Sequence, residues 1–226
     1  MQQINQISFT GSRTLLNDAD WVCRKVKTAF PIISPTQIYY SNPEIIRKNR
    51  RFVSFLHEKS LVLQEDRLDR RLLKSPFKFL KEVLYSATSH RVGNCFEQAA
   101  LAEMIARMNG VKNCYKLTME DLNTSKSLDH TVLLVTKNPL NSAIINSKES
   151  IIIDPWLGIS GRAEAVLDRY KNQFGKMLGL NNKTLIAFKM KKRLELNENE
   201  IEILKAKFPN LVFYNKGRKT GFMKFA

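Results

Sequence analysis

The chain has 226 residues and a formal net charge of +16, from 37 Lys and Arg against 21 Asp and Glu. Its apolar content of 43% suits one core-forming domain, and no stretch is long and apolar enough to span a bilayer as a helix. Cys23, Cys95 and Cys114 are too few, and odd in number, for a disulfide framework, which points to a reducing compartment. With His57, His90 and His130 as the histidines and no pair at zinc-ligand spacing, neither a metal site nor another cofactor is expected.

In chain order, residues 1–16 read as polar and loose. Asn17-Asp18 can cap a helix running to Phe30, with Trp21, Val22, Val26, Ala29 and Phe30 on one face. Pro31 and Pro35 end it. Glu44 to about Leu63 reads as a second helix, with Ile45, Ile46, Phe52, Phe55 and Leu56 apolar. Residues 64–73 are heavily charged but keep Leu68, Leu72 and Leu73 at helical spacing. Ser75-Pro76 opens another helix, in which Phe77, Phe79, Leu80, Val83 and Leu84 are apolar. The first ninety residues are therefore mainly helical.

The pattern then changes. Gly93-Asn94 breaks the backbone, and Cys95 starts a run of strong helix formers that ends at Asn109-Gly110. Cys114–Met119 reads as a strand and Glu120–Leu128 as a polar loop. Thr131–Val135 and Ser150–Asp154 read as strands, and Leu157–Gly161 as a loop. Arg162 to about Leu178 is an amphipathic helix using Ala165, Val166, Tyr170, Phe174 and Leu178. Thr184–Met190 reads as a strand. Asn197 caps a helix to Phe208, closed by Pro209, and Val212–Tyr214 and Gly221–Phe225 read as edge strands.

Cys95 is the residue most suited to chemistry. A helix N-terminus carries about half a positive charge and several N–H groups without partners in the helix, which favour a thiolate and can hold an oxyanion. His130, where an apolar strand begins, is the candidate base. His90, in the loop entering the helix, is its rival. Asp154, at the end of an isoleucine-rich strand, needs a partner, and a histidine N–H would serve as one. Asp129 adjoins His130, but neighbours on a strand face opposite ways. The backbone N–H of Cys95 is the first oxyanion donor, with Asn94, His90 and Gln98 as candidates for the second. Trp156 either walls the cleft or belongs to the core. Cys23 and Cys114 read as buried.

Gly93-x-Cys95 leading a helix, then His130 on a strand, then Asp154-Pro155, resembles the transglutaminase-like branch of the papain-fold superfamily. The likeness covers roughly residues 90–160. It departs at Thr131, where the family often has an aromatic residue. It implies an α+β, papain-like fold, with a mainly helical N-terminal part packed beside a central antiparallel sheet. Residues 1–226 would form a single catalytic domain, 1–88 helical and 89–226 the core. It also implies a Cys95-His130-Asp154 triad that forms a thioester on protein amide groups. Deamidase, transglutaminase and protease share that triad, so the reaction stays open.

The basic surface admits a protein partner with an acidic face or an anionic membrane. No aromatic-basic interleaving of the RNA-binding kind stands out, which speaks against nucleic acid. Residues 1–6 lack the regions of a cleaved signal peptide. A cytoplasmic protein is expected, or one delivered by a specialised secretion system into a host cell, as small basic bacterial effectors of this kind are. The competing reading is a non-enzymatic module whose basic helices bind nucleic acid, anionic lipid or an acidic protein.

Overall fold

The computed structural model describes residues 10–34, 36–37, 44, 47, 51, 54–55, 58, 76–137, 139–140, 149–181, 183–190 and 195–212. Helices α1 (Thr10–Ala29), α2 (Pro76–Tyr85) and α3 (Cys95–Met108) come first. Strands β1 (Cys114–Asp121), β2 (Lys126–Thr136), β3 (Ser150–Asp154) and β4 (Ile159–Arg162) follow. Helix α4 (Ala163–Phe174), strand β5 (Ile186–Met190) and helix α5 (Glu198–Lys207) complete the order. The architecture is α+β. The strands form one sheet in the order β4-β3-β2-β1-β5, and every neighbouring pair is antiparallel.

Alternation along the strands gives the sheet two apolar faces. Cys114, Leu133, Val135, Ile151 and Ile153 pack with α1, α2, α3 and α5. Tyr115, Leu117, Met119, Val132, Leu134 and Ile152 pack with α4 and the Leu178–Leu180 turn. Helix α3 lies against the central strands and is buried on almost every side, from Glu97 to Met108 with only Arg107 partly exposed. Its alanines at 99, 100, 102 and 106 both favour the helix and let it approach the sheet closely. It ends at Asn109, after which Gly110 takes φ +84 and the N–H of Val111 donates to the carbonyl of Ala106.

Several elements differ from the expectations. Helix α1 starts at Thr10, not at the Asn17-Asp18 pair. Leu15 is buried and extends the Ala19, Val22, Val26 stripe by another turn, and this packing outweighs a local cap signal. The polar stretch 120–128 is no loop. Strands β1 and β2 continue through it, with a turn at 122–125, because their ends project beyond the core and face water. Ile159–Arg162 is a strand, reversed from β3 by a turn in which Gly158 takes φ +72. Helix α4 stops at Phe174. Leu178 is buried from the following turn, and Ala165 is exposed.

Of the second expected helix, Glu44, Arg47, Arg51, Ser54, Phe55 and Glu58 are described, and they are helical. Phe55 is exposed there, and Ile45, Ile46, Phe52 and Leu56 lie outside the described residues. Residues 64–73, and the C-terminal runs at 213–214 and 221–225, lie outside the described residues. Val212 follows a 3-10 turn, Pro209–Leu211. Asn197 caps α5 through a reciprocal pair with Glu200, at 2.9 Å in each direction. Among the described residues no helix is long and apolar enough to cross a membrane.

Candidate active site

Cys95 is the first residue of α3. Asn94 and Glu97 form a capping box, in which the Asn94 N–H donates to Glu97 Oε2 at 2.8 Å. Gly93 is needed for close approach. A Cβ there would lie 3.1 Å from both Glu97 Cβ and Ile32 Cγ2. Cys95 is half-buried, whereas Cys23 and Cys114 are buried.

His130 reaches the site through a bulge in β2. Thr118 pairs with Thr131 and Glu120 with Ser127, so Met119 alone faces Leu128, Asp129 and His130. Asp129 takes φ 47, a left-handed conformation that Asp tolerates better than most residues. After the bulge, alternation puts His130 on the same face as Val132 and Leu134, the face that α4 covers.

Asp154 ends β3 on that face and is fully buried. His130 Nε2 lies 2.7 Å from Asp154 Oδ2. Tyr170 of α4 donates its hydroxyl to the same oxygen at 2.9 Å. The Leu157 N–H donates to Oδ1 at 3.1 Å. The buried carboxylate is thus held from three directions, as a desolvated charge requires. The Cys95 thiol lies beside the imidazole, close enough to favour its protonated form. Nε2 is taken by Asp154, which leaves Nδ1 as the nitrogen available to the sulfur. The thiol also lies 3.6 Å from the carbonyl oxygen of Asp129.

Burial alone pushes the His130 imidazole down, because it disfavours the charged ring. The charge and hydrogen bond of Asp154, with those of Cys95, outweigh burial and raise it from 6.5 to about 10. Burial first, then the charge of Asp154, pushes the Tyr170 phenol well above its ordinary value, so it stays a neutral donor. Burial and then Asp154 likewise push the Cys23 thiol up to about 12. Its Sγ lies 3.6 Å from the carbonyl oxygens of Asp154 and Ile159, the contacts of a core thiol.

Cys95 and His130 line a cleft of about 440 Å³, and Asp154 is buried out of it. Asn94 lines it, and its Oδ1 accepts from Ser34 and Thr36 at 3.1 and 3.3 Å. Trp156 lines it too, with its ring centroid 5.2 Å from that of His130. Its indole N–H donates to Ser34 Oγ at 2.6 Å, so it acts here as a wall, not as an oxyanion donor. His90 is not brought to the site. It is exposed at the end of the π turn Ser86–His90, edge-on to Tyr85, because that turn carries the chain away before it returns at Gly93. Gln98 is buried one turn into α3 and does not line the cleft. Thr131 lines it and shares a 3.2 Å hydrogen bond with Thr118 on β1.

Sequence reasoning missed four residues that support this arrangement. Tyr170 was counted with an apolar helix face, although a phenol in such a face needs a partner, which was a usable signal. Ser34 and Thr36 fix Asn94, and Gln37 donates to the Trp156 carbonyl at 2.9 Å. Nothing local marked these three. The segment is held by a parallel bridge between Ile33 and Val92, a contact between distant parts of the chain.

No family model matches the chain, and no curated protein or solved structure matches it either.

Proposed function

We propose that the protein is a cysteine-dependent acyl-transfer enzyme of the transglutaminase-like, papain-fold kind. Cys95 is the nucleophile, His130 the base and acid, and Asp154 the group that orients the imidazole. One observation carries the reading. A single buried imidazole is held 2.7 Å from a buried carboxylate and lies beside a thiol at a helix N-terminus, and ring and thiol line the same cleft. Nucleophile, base and orienter within reach of one another are the parts that covalent catalysis requires.

In the forward step, the Cys95 thiolate adds to an amide carbonyl carbon and the π electron pair moves onto oxygen. The Cys95 N–H, at the positive end of α3, is the donor this reading assigns to that oxyanion. Collapse reforms the carbonyl and breaks the C–N bond, and the proton of His130 goes to the leaving nitrogen. A thioester remains. His130 then takes a proton from water or from an amine as it attacks, and sulfur leaves. Water makes the reaction a deamidation or proteolysis, and an amine makes it a transamidation. The protein substrate, and delivery into a host cell, follow from the family likeness alone.

Alkylation of the thiol tests the nucleophile directly. Iodoacetamide at pH 6 is expected to modify Cys95 about tenfold faster than it modifies free cysteine, and His130→Ala should remove that advantage. Peptide mapping should show Cys23 and Cys114 unmodified. A wild-type rate no higher than that of free cysteine would sink the assignment.

Asp154→Asn should lower turnover of an amide substrate by about 10²–10³, less than the roughly 10⁴ of a serine triad. Cysteine depends less on its base than serine does. Because Asp154 raises His130, the ring keeps its proton through neutral pH and loses it only as the pH climbs through about 10. The alkaline limb of activity should therefore lie near pH 10, and in Asp154→Asn it should move to lower pH. An unmoved limb would show that Asp154 does not govern His130.

A further inference from the structure

The cleft and the rest of the molecule carry opposite electrostatic character. The chain has 37 Lys and Arg, yet none of the described residues lining the cleft is either. Apart from His130, the ionisable residues lining it are Cys95 and Asp129. Asp129 is exposed, and among the described residues its carboxylate makes no hydrogen bond or ion pair. Its backbone is held on both sides instead. Its N–H donates to Ser127 Oγ at 3.2 Å, and its carbonyl oxygen lies 3.6 Å from Cys95 Sγ. The bulge that delivers His130 therefore also fixes the backbone of an acidic residue next to the base, and no described residue neutralises its carboxylate. In a chain of net charge +16, no described Lys or Arg is paired with this anion.

We propose that Asp129 is a specificity-determining residue that recruits a cationic group, an ammonium or guanidinium, on the substrate. This deepens the acyl-transfer reading and rests on it. The cation belongs either to the segment bearing the scissile amide or to the amine that resolves the thioester. The basic exterior repels such a substrate at long range, and Asp129 reverses the sign where the reacting atoms meet. A unit charge within several ångströms of a partly exposed carboxylate changes its local concentration about fivefold at moderate dielectric and low salt.

Three haloacetamide-type reagents of similar reach provide the test. They are iodoacetate (anionic), iodoacetamide (neutral) and N-(2-trimethylammonioethyl)iodoacetamide (cationic). Each rate at Cys95 is divided by the iodoacetamide rate of the same variant. The neutral rate alone judges whether Cys95 is activated, so failure of that reading is seen separately. The cationic-to-anionic ratio is expected to fall about tenfold in Asp129→Asn, to recover in Asp129→Glu, and to shrink in 0.5 M salt. Asn keeps the tolerance for φ 47, so the bulge is retained.

A second arm locates the cation. After acetylation of Cys95 by p-nitrophenyl acetate, 1,4-diaminobutane competes with butylamine for the acetyl group. The diamine keeps one ammonium while its other amine attacks. Preference for it, lost in Asp129→Asn, places the cation on the acyl acceptor, and preference at the alkylation step places it on the donor. If neither preference is found, or if both survive in Asp129→Asn, the assignment of Asp129 is overturned.

Discussion

Cys95→Ala and His130→Ala should each abolish covalent turnover, with losses of at least about 10⁴ and toward the roughly 10⁶ of serine triads, and the double variant should be scarcely worse than either. The reason is geometric. One imidazole lies beside the thiol and is held by a carboxylate 2.7 Å from its Nε2. Without sulfur there is no thioester for the base to serve, and without the ring there is no proton donor for the leaving nitrogen. The variants should differ in stability. Cys95 is half-buried at a helix start, so Ala there should leave the unfolding midpoint nearly unchanged. His130 is buried, and its loss deprives the Asp154 carboxylate of one of its donors, which costs about 1–3 kcal/mol. Single-turnover kinetics on the two single variants and the double variant decide the matter. Losses that multiply in the double variant would show that the residues do not act together.

The second large effect is on stability. Lys116 of β1 is buried against the fully buried Glu103 of α3, and their charged ends form an ion pair. Arg107 adds its Nη2 at 3.7 Å from the other Glu103 oxygen, and donates to the carbonyls of Lys112 and Cys114 at 2.7 and 3.1 Å. Removing one partner leaves a buried charge poorly compensated. Lys116→Met should therefore lower the unfolding free energy by about 3–5 kcal/mol, toward the lower end because Arg107 remains. Lys116→Met with Glu103→Leu should recover most of that loss, since apolar side chains of similar volume suit the interface between α3 and the sheet. Urea unfolding measures both. A loss below about 1 kcal/mol in the single variant would mean that water reaches Glu103.

The helical start, the change to strands after α3, and the position of Cys95 at a helix N-terminus were all legible in the sequence. Each depends on local chemistry. Gly93-Asn94 followed by Gln98-Ala99-Ala100-Leu101 specifies a capped helix wherever it is placed, and the isoleucines of β3 specify a buried strand. The order Cys95, His130, Asp154 was likewise visible, because those residue types stand out beside apolar runs.

What only the tertiary structure decided depends on residues far apart in the chain. The bulge at Leu128-Asp129-His130 exists because β1 and β2 change register between Thr118 and Glu120, and no sequence pattern marks that. Strand alternation predicted that Asp129 would face away from His130. A left-handed backbone at Asp129 breaks that alternation, and the residue lines the cleft with its carbonyl beside Cys95. Tyr170 became a partner of Asp154 only when α4 packed across β3 and β4, and Ser34 reached Trp156 and Asn94 only through the bridge between Ile33 and Val92. Sequence patterns report the propensity and burial of single elements. The distances that turn three residues into one site are set by how those elements pack.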